Sequence, residues 1–161
     1  MGLTRAVLID AFERSGGQDV ASVLATGNIA FNAADEVAVA GEASLWLLTH
    51  FGLDEPMFVH SLDQLLAVAD SDPFAFAPSD NIYEQCITFA ETALSGVRRL
   101  PIESKRRDVC VFQIVAKEAF SVTRMIGSRC GTPGLMLEKL SGQRVTTPNW
   151  KTVLRLLDKE A

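Results

Sequence analysis

The chain has 161 residues, of which 48% are apolar and 22% charged, and its net charge is −5 at neutral pH. A chain of this size buries roughly 68–70% of the surface that its unfolded form exposes, so it needs no disulfide or metal to fold. The composition excludes an intrinsically disordered protein. No signal peptide is evident, and no apolar window reaches the roughly 18–20 residues of a membrane span, so we expect a soluble cytoplasmic protein without membrane contact.

The three cysteines are Cys86, Cys110 and Cys130. Their number is odd and no two form a closely spaced pair, which predicts reduced thiols and agrees with a cytoplasmic location. The alternative is a reactive thiol, for which Cys130 beside Arg129 is the best candidate, because a nearby cation favours the thiolate.

Apolar spacing in the first half predicts a helix over residues 3–14 and a second helix over residues 35–51 that ends at Gly52. Between them, residues 20–31 have the pattern of a hairpin or a bulged strand. Residues 57–59 are expected to form a short buried strand. A capping box at Ser61 and Gln64 predicts a third helix, which ends before Pro73.

The second half is expected to begin with a strand over residues 82–90, followed by an irregular charged stretch. Residues 109–115 form the clearest strand of the chain, and another is expected near residues 119–124. Thr132-Pro133 and Thr147-Pro148 each predict a helix start with proline at the first helical position, and Trp150 is expected in the core. This order is typical of an α+β fold with helices on one face of a mainly antiparallel sheet.

Three segments resemble one known family. Residues 24–31 (LATGNIAF) are similar to its QSGNVVF segment, and residues 59–65 (VHSLDQL) with the following DPF are similar to its VRSxEEL…NPF segment. Residues 146–153 (TTPNWKTV) are similar to its closing TTRNWNTV. The chain therefore resembles domain-of-unknown-function family 1697, an uncharacterised bacterial family.

The resemblance implies two ferredoxin-like halves, which we place at residues 1–78 and 79–161, and it implies no established activity. The family opens with a strand and a glycine-rich loop before its first helix, so the first half is expected to be truncated here. We expect either a start codon assigned too late or a homodimer in which a second copy fills the gap. Pro148 stands where the family has arginine.

Candidate ligand-binding residues come from three short segments. The Thr26-Gly27-Asn28 turn offers backbone amides and a side-chain amide, and the Ser128-Arg129 loop has a loose anion-binding composition before a helix start. Asn149 is the third candidate. The alternative interpretations are a plain turn for the first segment and a helix cap for Asn149.

No catalytic residue can be named. His50 and His60 are the only histidines, and neither belongs to a metal-binding or catalytic motif, so surface or capping roles are favoured and no metal or cofactor is expected.

The charge is unevenly distributed along the chain. Residues 1–80 carry 2 basic and 12 acidic residues, a balance of −10, whereas residues 81–161 carry 13 basic and 8 acidic residues, a balance of +5. The candidate basic patch comprises Arg98, Arg99, Lys105, Arg106 and Arg107. No aromatic residues are interleaved with it, so a solvated loop is favoured over nucleic-acid binding.

The function that the sequence favours is binding of a small ligand or a protein partner. The alternatives are an enzyme acting on an anionic or phosphorylated small molecule, with residues 26–28 and 127–132 lining its site, and weak nucleic-acid binding through the basic patch.

Overall fold

The computed structural model describes residues 3–24, 27–97 and 99–160, with side chains described up to residue 158. Its elements in chain order are α1 (Arg5–Arg14), β1 (Gln18–Ser22), β2 (Ile29–Asn32), α2 (Glu36–Phe51), α3 (Leu62–Asp70), β3 (Glu84–Ala90), β4 (Ile102–Glu103), β5 (Val109–Val115), β6 (Glu118–Thr123), β7 (Met125–Ile126), β8 (Arg129–Cys130), α4 (Pro133–Ser141), β9 (Val145–Thr146) and α5 (Trp150–Glu160). The expected α+β class is confirmed. None of the described helices has the length and apolarity to cross a membrane.

The chain divides into two compact units, Met1–Val59 and His60–Ala161. The predicted division after residue 78 stays a prediction, although the structure groups α3 with the later elements, since α3 packs against α5.

The first unit packs α1 and α2 together with the antiparallel pair β1–β2. Leu8 and Phe12 of α1 meet Ala43 and Leu47 of α2 in its buried core, and the Phe12 ring lies 5.0 Å from that of Phe31 in β2. The expected hairpin pairing over residues 20–31 is confirmed, and the ladder contains the irregularity of a bulged strand.

Capping residues explain where α3 begins and where α2 ends. Ser61 and Gln64 form the predicted capping box, with both reciprocal hydrogen bonds at 3.1 Å. Gly52 ends α2 in the left-handed conformation, with φ of 66°, which glycine adopts at little cost. The strand expected over residues 57–59 is wrong: these residues pair with no neighbouring strand, and Met57 and Val59 instead pack against the core of the first unit.

The second unit is built on a five-stranded sheet with the order β4-β5-β6-β3-β9, in which all neighbours are antiparallel. The predicted strands over 82–90 and 119–124 are shifted slightly, to 84–90 and 118–123. Among the described residues between β3 and β5 the structure has β4 and no helix, and the ferredoxin-like halves stay a prediction.

Helices cover both faces of this sheet. Ala119 packs with Leu137 of α4, whereas the ring of its neighbour Phe120 lies 5.9 Å from Phe74, which in turn contacts Trp150 of α5 at 5.4 Å. Consecutive residues of a strand point to opposite faces, so α4 and α5 lie on opposite sides. The expectation of helices on one face only is therefore wrong for this unit, because its strands are buried on both faces.

The start of α5 also differs from the prediction. Pro133 is the first residue of α4 as expected, but Pro148 lies two residues before α5. Its carbonyl accepts a hydrogen bond of 3.2 Å from the Ile87 amide of β3. Because sheet pairing holds Pro148 and Asn149 in an extended conformation, the helix begins only at Trp150.

We expect Gly131→Ala to destabilise the protein by about 1–3 kcal/mol, the usual cost of overpacking. A Cβ atom at this position would lie 2.7 Å from Cγ of Asp108, and a hydrogen bond of 2.6 Å to the hydroxyl of Ser104 fixes this buried carboxylate. Urea denaturation measures the loss. Gly96→Ala is the control, because its new Cβ would meet only Leu140 O at 3.9 Å. Equal stability of the two variants would contradict the prediction.

Candidate functional site

A cleft in the second unit lies between the start of β3 and the start of α5, and we call it the β3–α5 cleft. It has a volume of about 410 Å³ and is partly open to solvent. Its walls are formed by Ile82, Tyr83, Glu84, Gln85, Asn149 and Lys151. All but one of these side chains are polar, so the cleft is suited to a ligand with several hydrogen-bonding groups.

Sheet pairing fixes the position of Asn149 in this cleft. Asn149 forms an isolated antiparallel bridge with Cys86, directly after the hydrogen bond between Pro148 and β3. Its Oδ1 accepts a hydrogen bond of 2.8 Å from the Lys151 amide, and so caps the start of α5. The same contact leaves Nδ2 as a donor and places Lys151 in the first turn of the helix.

Tyr83 and Lys151 were missed as site residues. Tyr83 is 57% exposed, and its backbone amide donates a 2.8 Å hydrogen bond to the Thr123 carbonyl, which extends the ladder beyond β3. Lys151 lies in the closing TTPNWKTV segment, two residues after Asn149. The only sequence signal for this site was that polar residues directly precede the buried part of β3, and such a signal is weak.

The other candidates of the second unit, Ser128 and Arg129, are not among the residues that line the cleft. Ser128 is exposed in the turn between β7 and β8, and Arg129 is exposed in β8. The second unit therefore brings only Asn149, of its predicted binding residues, into a concave site. The roles of Ser128 and Arg129 stay predictions.

The remaining candidate segment belongs to the first unit. Gly27 is exposed with φ of 110°, and the Asn28 carbonyl accepts a 2.9 Å hydrogen bond from Val23. These features are those of a hairpin turn. Thr26 lies outside the described residues, so its predicted role is not addressed by the structure.

The described members of the basic patch are exposed: Arg99, Lys105, Arg106 and Arg107. The fifth member, Arg98, lies outside the described residues. Arg107 has φ of 60° and approaches Glu103 at 4.0 Å, the outer limit of an ion pair. An exposed pair of this kind contributes little to stability, and the roles considered for the patch stay predictions.

The two histidines occupy different environments. Nδ1 of His50 lies 2.9 Å from the Trp46 carbonyl, and its exposed ring stacks on Trp46. The ring of His60 lies 4.0 Å from that of Phe89, and its buried Nε2 has no partner within the described part of the chain. Burial, together with the charge of Lys117, lowers the pKa of His60, which keeps the ring neutral at neutral pH. The described side chains, those of residues 3–24, 27–97 and 99–158, include no cluster that could hold a metal ion.

The three thiols differ in burial, and we expect them to differ in reactivity. Burial, followed by the charge of Glu84, raises the pKa of Cys86 to about 12, and burial followed by Glu103 raises the pKa of Cys110. Cys130 is only half-buried. A disulfide reagent at neutral pH should therefore modify one thiol of the folded protein quickly, and the other two only after unfolding, because the thiolate is the reactive form.

The absorbance of the released reagent measures the number of fast thiols. In Cys130→Ser the fast phase should disappear. Two or more fast thiols in the folded wild-type protein would contradict this assignment.

Comparison with known proteins gives one match. The family model described as "Protein of unknown function (DUF1697)" matches residues 2–120. Comparison with the curated proteins and with the solved structures gives no match.

Proposed function

The chain belongs to the DUF1697 family of proteins of unknown function, and we propose that it binds a small polar ligand with an anionic group in the β3–α5 cleft. The observation that carries this proposal is the cleft itself, a space of about 410 Å³ lined by residues with hydrogen-bonding side chains from two elements. Small-molecule sites are concave, have volumes of about 300–1,000 Å³ and contain a few converging polar groups.

Because the three cysteines are free thiols, we place this binding in the cytoplasm.

The charges around the cleft favour an anion. Lys151 contributes a full positive charge and the first turn of α5 contributes roughly half a charge more, while Glu84 contributes one negative charge. The balance is positive by about half a charge. A carboxylate or phosphate group would therefore be placed beside Lys151 and the start of α5.

Neutral groups of the cleft would recognise the rest of the ligand. The exposed ring of Tyr83 offers an apolar face on which a planar group can stack. The side-chain amides of Gln85 and Asn149 offer both donors and acceptors. The ligand class that fits this set is a small, planar or cyclic compound with one acidic group.

Thermal unfolding in the presence of a panel of nucleotides, sugar phosphates and aromatic carboxylates tests this proposal. A ligand present at 100 times its Kd stabilises the folded state by about 2.7 kcal/mol, which raises Tm measurably. Lys151→Glu should remove the shift because it reverses the charge at the cleft. Lys139→Glu makes the same charge change on the exposed side of α4, outside the cleft, and should leave the shift intact.

A panel that leaves Tm unchanged would refute the proposal. A shift that survives Lys151→Glu would place the ligand elsewhere in the protein and would equally overturn it.

A further inference from the structure

A second concave site of the second unit lies between α3 and the sheet, and we call it the α3 groove. Ala67, Val68 and Pro73 form one wall, and Val115 and Phe120 form the other, together with Glu118. Its volume is about 250 Å³. None of its walls belongs to the β3–α5 cleft.

The groove exists because α3 covers the sheet incompletely. The helix has an apolar face, yet none of its residues is fully buried. The strand residues below it are opposite one another in the ladder, Val115 beside Glu118 and Gln113 beside Phe120, so their side chains share one face. Val115 therefore stays half-exposed in a region where a closer helix would bury it.

Glu118 is the one carboxylate of the groove, and its side chain makes no hydrogen bond or ion pair with any described residue. It is half-buried in a groove whose other lining residues are apolar except for Ser71 and Gln113, neither of which carries a charge. Burial raises its pKa, since the carboxylate loses water without gaining a partner. A cation in the groove would supply the missing partner, through a charge-assisted hydrogen bond.

We propose that the α3 groove binds a small amine with an apolar body, the ammonium group contacting Glu118 and the body lying between Val68, Val115 and Phe120. The volume fits a single ring with a short arm, because an engineered apolar cavity of about 150 Å³ already holds benzene. The charge selects an amine over an alcohol or an acid. The site is independent of the β3–α5 cleft, so either can fail without the other.

Benzylamine, benzyl alcohol and benzoate are matched probes for this groove, because they share the ring and differ in charge. Titration followed by NMR should show benzylamine shifting the resonances of Val68 and Val115, benzyl alcohol binding more weakly, and benzoate not binding. Glu118→Gln should weaken benzylamine binding about tenfold, the effect of losing a charge-assisted hydrogen bond, and leave benzyl alcohol unchanged. Glu91→Gln, at an exposed position outside the groove, is the control.

A second variant tests whether the ligand occupies the groove, independently of the charge of Glu118. Ala67→Trp introduces a large side chain from an exposed helix position that lines the groove, and it should abolish binding of benzylamine and of benzyl alcohol. The proposal is overturned if benzylamine does not shift these resonances, if benzoate binds as well as benzylamine, if Glu118→Gln leaves the affinity for benzylamine unchanged, or if binding survives Ala67→Trp.

Discussion

Replacing Trp150 by alanine is expected to lower the free energy of unfolding by about 3–5 kcal/mol, the cost of removing a large buried aromatic side chain. Only 6% of Trp150 is exposed, and its ring lies 5.4 Å from that of Phe74. Phe74 in turn contacts Phe112 at 5.6 Å and Phe120 at 5.9 Å, which links α5 to β5 and β6. The substitution therefore opens a cavity between α5 and one face of the sheet.

Urea denaturation followed by far-UV circular dichroism measures this loss. Leu154→Ala is the matched control, because this residue lies one turn later in α5 and is 42% exposed. We expect it to cost about 1 kcal/mol or less. If Trp150→Ala lowers the free energy of unfolding by no more than Leu154→Ala does, α5 does not pack on the sheet as described.

Replacing Leu137 by alanine is expected to cost about 2–5 kcal/mol. Leu137 is fully buried in α4 and packs with Leu94, Val111 and Ala119 on the opposite face of the sheet. Strand residues on that face are small or β-branched, so they cannot move far enough to fill the space that leucine leaves.

The same denaturation experiment measures this variant. Leu135→Ala is the control, since Leu135 lies two residues earlier in α4 and is 60% exposed. If Leu135→Ala and Leu137→Ala lower the free energy of unfolding by nearly the same amount, the placement of α4 against the sheet is wrong. Because Trp150 and Leu137 pack on different faces, the double variant should lose about the sum of the two single effects.

Local sequence signals predicted the helices well because their causes are local. The side chains of Ser61 and Gln64 satisfy amides within the same turn, and Gly52 adopts the conformation that ends α2. Pro133 fits the first position of α4 because its fixed φ suits a helix and its missing N–H would have no helical partner there. Each of these features needs only a few neighbouring residues.

The wrong predictions concern segments whose structure depends on pairing with residues distant in the sequence. Residues 57–59 have the composition of a strand but no partner strand, and Pro148 has the signal of a helix start but a sheet partner in Ile87. The two-residue strands β4, β7, β8 and β9 carry too little pattern to be recognised from sequence.

The candidate site was predictable only in part, for a related reason. Asn149 was singled out from the closing motif, and the structure places it in a cleft. Its neighbours Tyr83 and Gln85 lie more than sixty positions away in the chain, and only the pairing of Asn149 with Cys86 brings them together. Glu118 carries no sequence signal at all, because its unusual environment is created by the position of α3.

The sheet of the second unit ends in a two-residue strand on each side, β4 at one border and β9 at the other. Long unpaired borders offer rows of amides and carbonyls to any passing extended segment, and so promote aggregation. At the β9 border Pro148 and Asn149 occupy the next positions along β3, so this border offers only a short row. Addition of an extended segment at this border should therefore be slow, even in concentrated solutions of the folded protein.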